Sequence, residues 1–348
     1  MKIIHIIAGA KTGGAESCAV DTIKALGKRG IDQVVICRPY ANFQDLTGIP
    51  GIKVFHLNFF KGLQYFQQRK INSIIEREKP NLVHCWMNRA ASFTKKQKNI
   101  PVLGWFGGYY NLKYYKTCNY FMGVSKDIVR HIKENIEQPD CAYLGHVFGT
   151  LEKINDIKRI DFDIPKNSKV VLLLSRMHQK KGVDLLINAA TQIDNTIFLL
   201  AGDGPEINKY KDQVKALNLQ NKVRFLGWHS DRLGLLNIAD VCVLPSRYEP
   251  FGIVITEAWF AGVPLVATRA AGAKNYVTDN HDGLLVEIDD LEGLVQALRI
   301  ALDDVSTRRR LIKNGRKTYQ KYFSRDAVID ELINSYKEMI MHYKLQNT

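Results

Sequence analysis

Short apolar runs recur along the chain, separated by longer stretches with helical spacing. In the first half they predict strands at about Ile3–Ala8, Gln33–Cys37, Val54–Leu57, Leu82–Cys85, Val102–Phe106 and Tyr120–Val124. The second half restarts the pattern at Val170–Leu174, Thr196–Ala201, Val223–Leu226, Val241–Leu244, Pro264–Ala267 and Gly283–Val286. Strands alternating with helices imply parallel sheets covered by crossover helices, so the expected class is α/β with two doubly wound domains. Residues 145–168 are polar and broken, with Asn155, Asp156, Lys158, Arg159 and Pro165. The expected division is an N-terminal domain over 1–150, a linker over 151–168, a second domain over 169–322 and a final helix within 323–348. That helix, about Arg325–Tyr343, is expected to pack back across both domains. Ligands in such sheets bind outside the C-terminal ends of the strands, here in a cleft that the two domains are expected to face.

The composition, 46% hydrophobic and 24% charged over 348 residues, is that of a soluble globular protein of two ordinary domains. No apolar stretch approaches the roughly 20 residues that span a bilayer. The opening Met1–Gly9 is too short for a signal peptide and reads as a buried strand. The six cysteines (18, 37, 85, 118, 141, 242) lack CxxC or metal-like spacing, which predicts buried thiols and a reducing cytoplasm. The net charge of +14 is uneven. Residues 1–150 carry 21 Lys/Arg against 10 Asp/Glu, while residues 151–348 carry 28 against 25. The basic first half points to an anionic surface or substrate, with a membrane leaflet leading; a merely solvated basic face is the plain alternative.

Four motifs fall at predicted strand ends. Gly13-Gly14, with Lys11 and Glu16 around them, follow the first strand and open a helix, where backbone approaches a ligand closely and an anion is favoured. They lack the spacing of a dinucleotide fingerprint or a P-loop. Ser175-Arg176-Met-His-Gln-Lys180-Lys181-Gly182 offers an Arg fork and a Lys point charge, a clamp for a diphosphate. Gly202-Asp203-Gly-Pro205 forces a tight turn, and Gly227-Trp228-His229 offers an aromatic to hold a base. In Ser246-Arg-Tyr-Glu249-Pro-Phe251-Gly252-Ile253, a loop carries Glu249 towards a helix expected from about Ile255, with Glu257 in it. Two carboxylates among free helix-start amides suit a polyhydroxylated ligand.

Gly-Gly-Ala-Glu, Arg-x4-Lys-Gly, Gly-Asp-Gly-Pro and Glu-x7-Glu together resemble glycosyltransferase family four, retaining nucleotide-sugar transferases of the GT-B fold. The resemblance is strong over 170–290, which includes Glu257-Ala-Trp-Phe-Ala-Gly262-Val-Pro264, and loose over 30–150. It implies two Rossmann-like domains and a set of roles. Arg176 and Lys181 would hold the donor diphosphate and stabilise the leaving group. Glu249 would meet the transferred sugar's hydroxyls, with amides of Phe251, Gly252 and Ile253 beside it. Glu257 would hold the ribose. Gly13, Gly14, Gly202 and Trp228 complete the donor side. Retention without a secure enzyme nucleophile implies front-face attack, so the two Glu residues are read as hydroxyl ligands rather than a glycosidase pair.

The chain also departs from the family. Gly107 stands where many members carry the His that meets the donor sugar. The usual Pro-Asn-Gly near the linker is replaced around Leu144-Gly145-His146, and a common Glu is Asn275. Tyr109, Tyr110, Tyr114 and Tyr115 are candidates to stack on acceptor sugars or to pack in the core. His84, at a predicted strand end, is an acceptor-side candidate with Gly107, Tyr109 and Tyr110, whereas His5 reads as a buried, hydrogen-bonded residue. Asp161-Phe-Asp163 spells a metal-binding DxD but lies in the linker, so no metal is expected.

The expected function is a metal-independent retaining hexosyltransferase with no cofactor, its co-substrate a nucleoside diphosphate sugar, UDP before GDP or ADP. The expected acceptor is an anionic or lipid-linked glycan of lipopolysaccharide or cell-envelope polysaccharide, used at the inner face of the cytoplasmic membrane by a peripheral, cytoplasmic protein. The alternatives are a GT-B epimerase or hydrolase of the same donor, and a non-catalytic carbohydrate- or nucleotide-binding protein. Nucleic-acid binding is weakest, because no recognised motif accompanies the charge.

Overall fold

The apolar runs become strands with boundaries displaced by at most two residues. In the first half these are β1 (Lys2–Ile7), β2 (Asp32–Cys37), β3 (Ile52–His56), β4 (Leu82–Trp86), β5 (Val102–Phe106) and β6 (Tyr120–Gly123). A further strand, β7 (Ala142–Leu144), follows a short turn at Pro139 and was not expected. The computed structural model describes residues 1–9, 13–149 and 156–346; Lys11 of the glycine-rich loop and Asn155 of the linker fall outside them. The chain divides into two units, Met1–Phe148 with Arg325–Thr348, and Gly149–Ser324.

The first unit is a seven-stranded sheet of order β3-β2-β1-β4-β5-β6-β7, every pairing parallel. All strands therefore end on one edge. Strand β1 lies between β2 and β4, the switch point where the order reverses, so the loop carrying Gly9 and Gly13 opens there. The sheet's interior is fully enclosed: Ile3, Ile4, Ile6 and Ile7 of β1 are 0% exposed. The final helix, Arg325–Gln346, belongs to this unit. It buries Val328, Ile329, Leu332, Tyr336, Met339 and Tyr343, a helical spacing of three and four. Polar contacts fix it: Tyr343 Oη donates to the Lys98 carbonyl (3.0 Å), and His342 Nδ1 meets Tyr120 Oη (2.8 Å).

The second unit is a six-stranded sheet of order β10-β9-β8-β11-β12-β13, again parallel throughout. Its strands are β8 (Lys169–Leu174), β9 (Thr196–Ala201), β10 (Val223–Gly227), β11 (Val241–Leu244), β12 (Leu265–Thr268) and β13 (Leu284–Val286). Here β8 is the switch-point strand, and the loop leaving it carries Arg176 and Lys181. Val171, Leu173, Phe198, Leu200, Leu294 and Leu298 share one core and hold the strand ends rigid beneath that loop. The cysteines are all free thiols, and only Cys118 is not fully buried. No helix among the described residues is long and apolar enough to cross a membrane.

Candidate active site

The site in the second unit is built from stacked loops. After β8, Ser175 N donates to the Ala201 carbonyl (3.0 Å) and Met177 N to the Asp203 carbonyl (3.0 Å). The Gly202 amide, one loop further, donates to the Gly227 carbonyl (2.7 Å). Gly202 (φ 140°) lies directly on the Ser175 carbonyl, so a Cβ there has no room. Met177 is fully buried and pins the loop, while Arg176 before it is exposed. The Arg176 side chain makes no hydrogen bond or ion pair with the described residues, leaving all its donors for a ligand. A 3-10 turn, Gln179–Lys181, then delivers Lys181, and Gly182 (φ 64°) caps the helix Val183–Ala190 against the Pro245 carbonyl.

The loop after β11 is tied to the first. The amides of Arg247 and Tyr248 both donate to the Lys180 carbonyl, at 2.9 and 3.1 Å. The Arg247 guanidinium grips both oxygens of Asp184 (2.8 and 2.7 Å), Asp289 Oδ1 (2.7 Å) and the Gln179 carbonyl (2.8 Å). Burial works to raise the Asp184 carboxyl, but the Arg247 contacts outweigh it and hold it below the usual range. The result is that Lys181 Nζ sits 2.6 Å from Glu249 Oε2. Arg176, Lys181 and Glu249 thus stand on two loops at one edge of the sheet. Neither Arg247 nor Asp184 was singled out from sequence. The signal was available, since Arg247 stands inside the same Ser-Arg-Tyr-Glu stretch.

The helix after Glu249 runs Ile253–Ala261, with Gly252 (φ 84°) as its left-handed N-cap. It begins two residues earlier than expected, so Glu257 is not among the free amides of the first turn. It lies one turn further, where its own N–H belongs to the helix ladder. Its carboxyl is 1% exposed, with Arg232 Nη1 2.6 Å from Oε1 and no aligned hydrogen bond to either oxygen. Desolvation raises the carboxyl to about 7, with the charge of Arg232 pulling the other way. Arg232, 25 positions upstream, carried no local signal. Phe251 contributes only backbone, because its ring is buried against Tyr276 and Phe323. Trp228 stands 81% exposed beyond β10, its face open to a planar ring.

In the first unit, Gly13 is the N-cap of the helix Gly14–Lys28, and its missing side chain, with that of Gly9, makes room for the buried Glu16 carboxylate. Gly14 meets nothing within 4 Å and is the open position of the pair. His84 corrects the expectation of an acceptor contact. It lies inside β4, is 0% exposed, stacks on Trp86 (4.3 Å) and bonds Tyr336 Oη through Nδ1 (2.6 Å). His5 is buried as expected and accepts from Trp86 Nε1 (3.2 Å). The tyrosines divide: Tyr115 is core, stacked on Phe106 at 4.0 Å, whereas Tyr109 and Tyr114 are 42% and 41% exposed. Tyr110 is half-buried. A Cβ on Gly107 would meet Trp105 Cζ3 at 2.6 Å, so the indole fills the space a side chain would need.

Against known proteins, residues 155–318 match the family described as glycosyl transferases group 1 and residues 12–140 that described as glycosyltransferase family 4. The lipopolysaccharide core biosynthesis glycosyltransferase LpsE of Rhizobium meliloti is 30% identical over 332 residues, 95% of this chain and 97% of its own. The chain belongs to the group 1, family 4 glycosyltransferases. LpsD of the same organism is 30% identical over 339 residues, 96% of this chain and 97% of its own. Among solved structures, a Rickettsia africae glycosyltransferase superposes with a TM-score of 0.85 at 22% identity, covering 97% of this chain and 98% of that one. Anabaena HepE, in complex with UDP-glucose, gives 0.80 at 22%, covering 96% and 100%. The two parallel sheets are thus those of the GT-B glycosyltransferases, and the Arg176–Lys181–Glu249 group lies on the matched second part of this family member.

Proposed function

We propose that this glycosyltransferase moves a hexosyl-type sugar, with retention and without a metal, from a UDP-sugar to an anionic or lipid-linked glycan in lipopolysaccharide or envelope polysaccharide assembly. The observation that carries the reading is Lys181 held by Glu249 at 2.6 Å, on the same loop as an Arg176 with no partner among the described residues. Breaking the anomeric bond puts negative charge on the departing diphosphate. Arg176 and Lys181 stabilise that charge as it develops, and the loops that hold them need no rearrangement. Glu249 accepts from the transferred sugar's hydroxyls and keeps Lys181 aimed. The acceptor hydroxyl attacks from the face the diphosphate leaves, its proton passing to the departing phosphate oxygen. Glu257, buried with an unmatched oxygen, accepts from the ribose hydroxyls, and Trp228 stacks on the base. Gly13 and Gly14 close over the donor phosphates, and the exposed Tyr109 lies on the acceptor side.

The relatives support the substrate class: two act in lipopolysaccharide core biosynthesis, and HepE was solved with UDP and with UDP-glucose. The basic first half supports a peripheral enzyme at the inner face of the cytoplasmic membrane. A thermal-shift panel of UDP, GDP, ADP and their sugars identifies the donor, and the anomeric configuration of the product is then read by NMR. Stabilisation by UDP and its sugar with a retained linkage is expected. Release of free sugar or an epimer without acceptor, or an inverted linkage, overturns the proposal.

A further inference from the structure

We propose that the segment Phe60–Phe66 is a bilayer-docking element that seats the first unit on anionic lipid. Four large apolar side chains stand in the open there: Phe60, Leu63, Tyr65 and Phe66 are 59%, 51%, 60% and 68% exposed. The segment is not loose. Phe59, just before it, is 2% exposed and packs edge-on against Phe93 at 5.4 Å, and Gln64 Nε2 donates to the Ser92 carbonyl at 2.9 Å. The helix that follows, Gln64–Glu78, turns Gln67, Ile71, Ile74 and Ile75 inward. Tyr65 and Phe66 are therefore left off its buried face, with Arg69 and Lys70 one turn behind them on the same exposed side.

The charges around this patch name its occupant. Arg69 lies 5.7 Å and Lys95 5.4 Å from the Tyr65 ring centre. Arg69, Lys70 and Lys95 pair with no carboxylate among the described residues. Residues 46–126 contain 13 Lys/Arg and only two acids, Glu76 and Glu78. Glu78 is already consumed by Lys2, Lys53 and Arg77. A protein partner is ordinarily met by charges of both signs. Aromatic side chains in front of unmatched cations instead fit the boundary of an anionic bilayer, rings among acyl chains and cations among phosphates. The position fits as well. The segment leaves β3 at the same sheet edge as Gly9, Gly13 and Gly107, so a docked unit presents its acceptor-side loops to glycans carried on lipid. The proposal gives the membrane association proposed above a place on the fold, and only this last step rests on the sugar transfer proposed there.

The test uses the full chain and vesicles of phosphatidylcholine with or without phosphatidylglycerol at low salt. Sedimentation with the anionic vesicles, and little with neutral ones, is expected for the natural protein. F60S/F66S should bind about tenfold or more weakly, while UDP still stabilises it and it still transfers sugar to a water-soluble acceptor. Phe66→Trp should shift its emission to the blue on anionic vesicles and be quenched by brominated acyl chains. Equal binding by F60S/F66S, or an F66W emission that ignores the vesicles, overturns the proposal. So does a dimer that F60S/F66S dissociates in a protein that binds no vesicle, since the patch would then join two copies. Vesicle binding without sugar transfer to any acceptor sinks the function proposal alone.

Discussion

Lys181 Nζ lies 2.6 Å from Glu249 Oε2 although 68 positions separate the two residues. The contact exists because the Lys180 carbonyl takes both the Arg247 and Tyr248 amides, which sets the two loops in register. Arg176, by contrast, is held only through its backbone. Arg176→Ala and Lys181→Ala should each lower turnover by about two orders of magnitude, the usual loss when a transition-state charge partner is removed. Their stabilities should differ. Arg176→Ala should stay within about 0.5 kcal/mol of the natural protein, whereas Lys181→Ala strands the mostly buried Glu249 carboxylate and should cost about 1 kcal/mol or more. Steady-state kinetics beside denaturant unfolding separates the two, and near-normal turnover in both variants would refute the clamp.

Much of this was legible in the sequence, and the failures have identifiable causes. Strands such as Val102–Phe106, Thr196–Ala201 and Val241–Leu244 were read to the residue, because a short apolar run between breakers has few other ways to be buried. β7 was missed because three residues make no run. The helix start before Glu257 was placed late because Ile253-Val-Ile-Thr256 carries no local start signal, and only the left-handed Gly252 shows that the turn is complete. His84 was misread because its partner, Tyr336, is 252 positions away. Arg232 was invisible for the same reason. Local pattern shows where a side chain begins, not what the fold brings to it.

Glu257 gives the second unit a pH dependence. Its folded carboxyl titrates at about 7 against an ordinary 4.5, chiefly through desolvation. The stability it contributes is therefore present below pH 4.5 and is lost as pH rises through about 7, by on the order of 3 kcal/mol. Glu257→Gln should flatten that slope. If the carboxylate accepts from ribose, UDP binding should instead strengthen as pH rises through about 7, and the variant should lose that rise. A UDP thermal-shift series across this range in both proteins decides it; matching curves would remove Glu257 from the nucleotide site.

The first unit should respond to pH with the opposite sign. Burial lowers the His5 imidazole to about 3 and holds His84 well below its usual range, where the neighbouring His5 adds to the effect. His5 Nδ1 accepts from Trp86 Nε1, which requires a neutral ring. The stability these residues supply is present above about pH 6.5 and is lost as pH falls towards the folded values. His84→Leu removes one of the two titrations, so the acid-side slope of unfolding free energy should become shallower below pH 6.5 than in the natural protein. Tyr336→Phe should cost about 1–3 kcal/mol at neutral pH by leaving buried His84 Nδ1 unmatched. An acid slope unaltered by His84→Leu would place the titration elsewhere.

Gly107, which the family resemblance sets where a histidine is expected, is kept free of a side chain by Trp105. A Cβ on Gly107 would lie 2.6 Å from Cζ3 and 2.7 Å from Cη2 of the indole, which is itself 5% exposed and tilted against Trp86 at 5.1 Å. A stiff, buried ring cannot give by that much without displacing its neighbours. Gly107→His should therefore destabilise the first unit by about 1–3 kcal/mol, the usual range for overpacking, and Gly107→Ala by less. The substitution alone should not recover a histidine contact to the donor, because Trp105 still fills the space. With Trp105→Ala the two changes should couple, the double variant being more stable than the sum of the single effects allows. A thermal-unfolding cycle over the four proteins measures this directly. If Gly107→His unfolds like the natural protein, or the effects simply add, the indole is not what excludes a side chain at position 107.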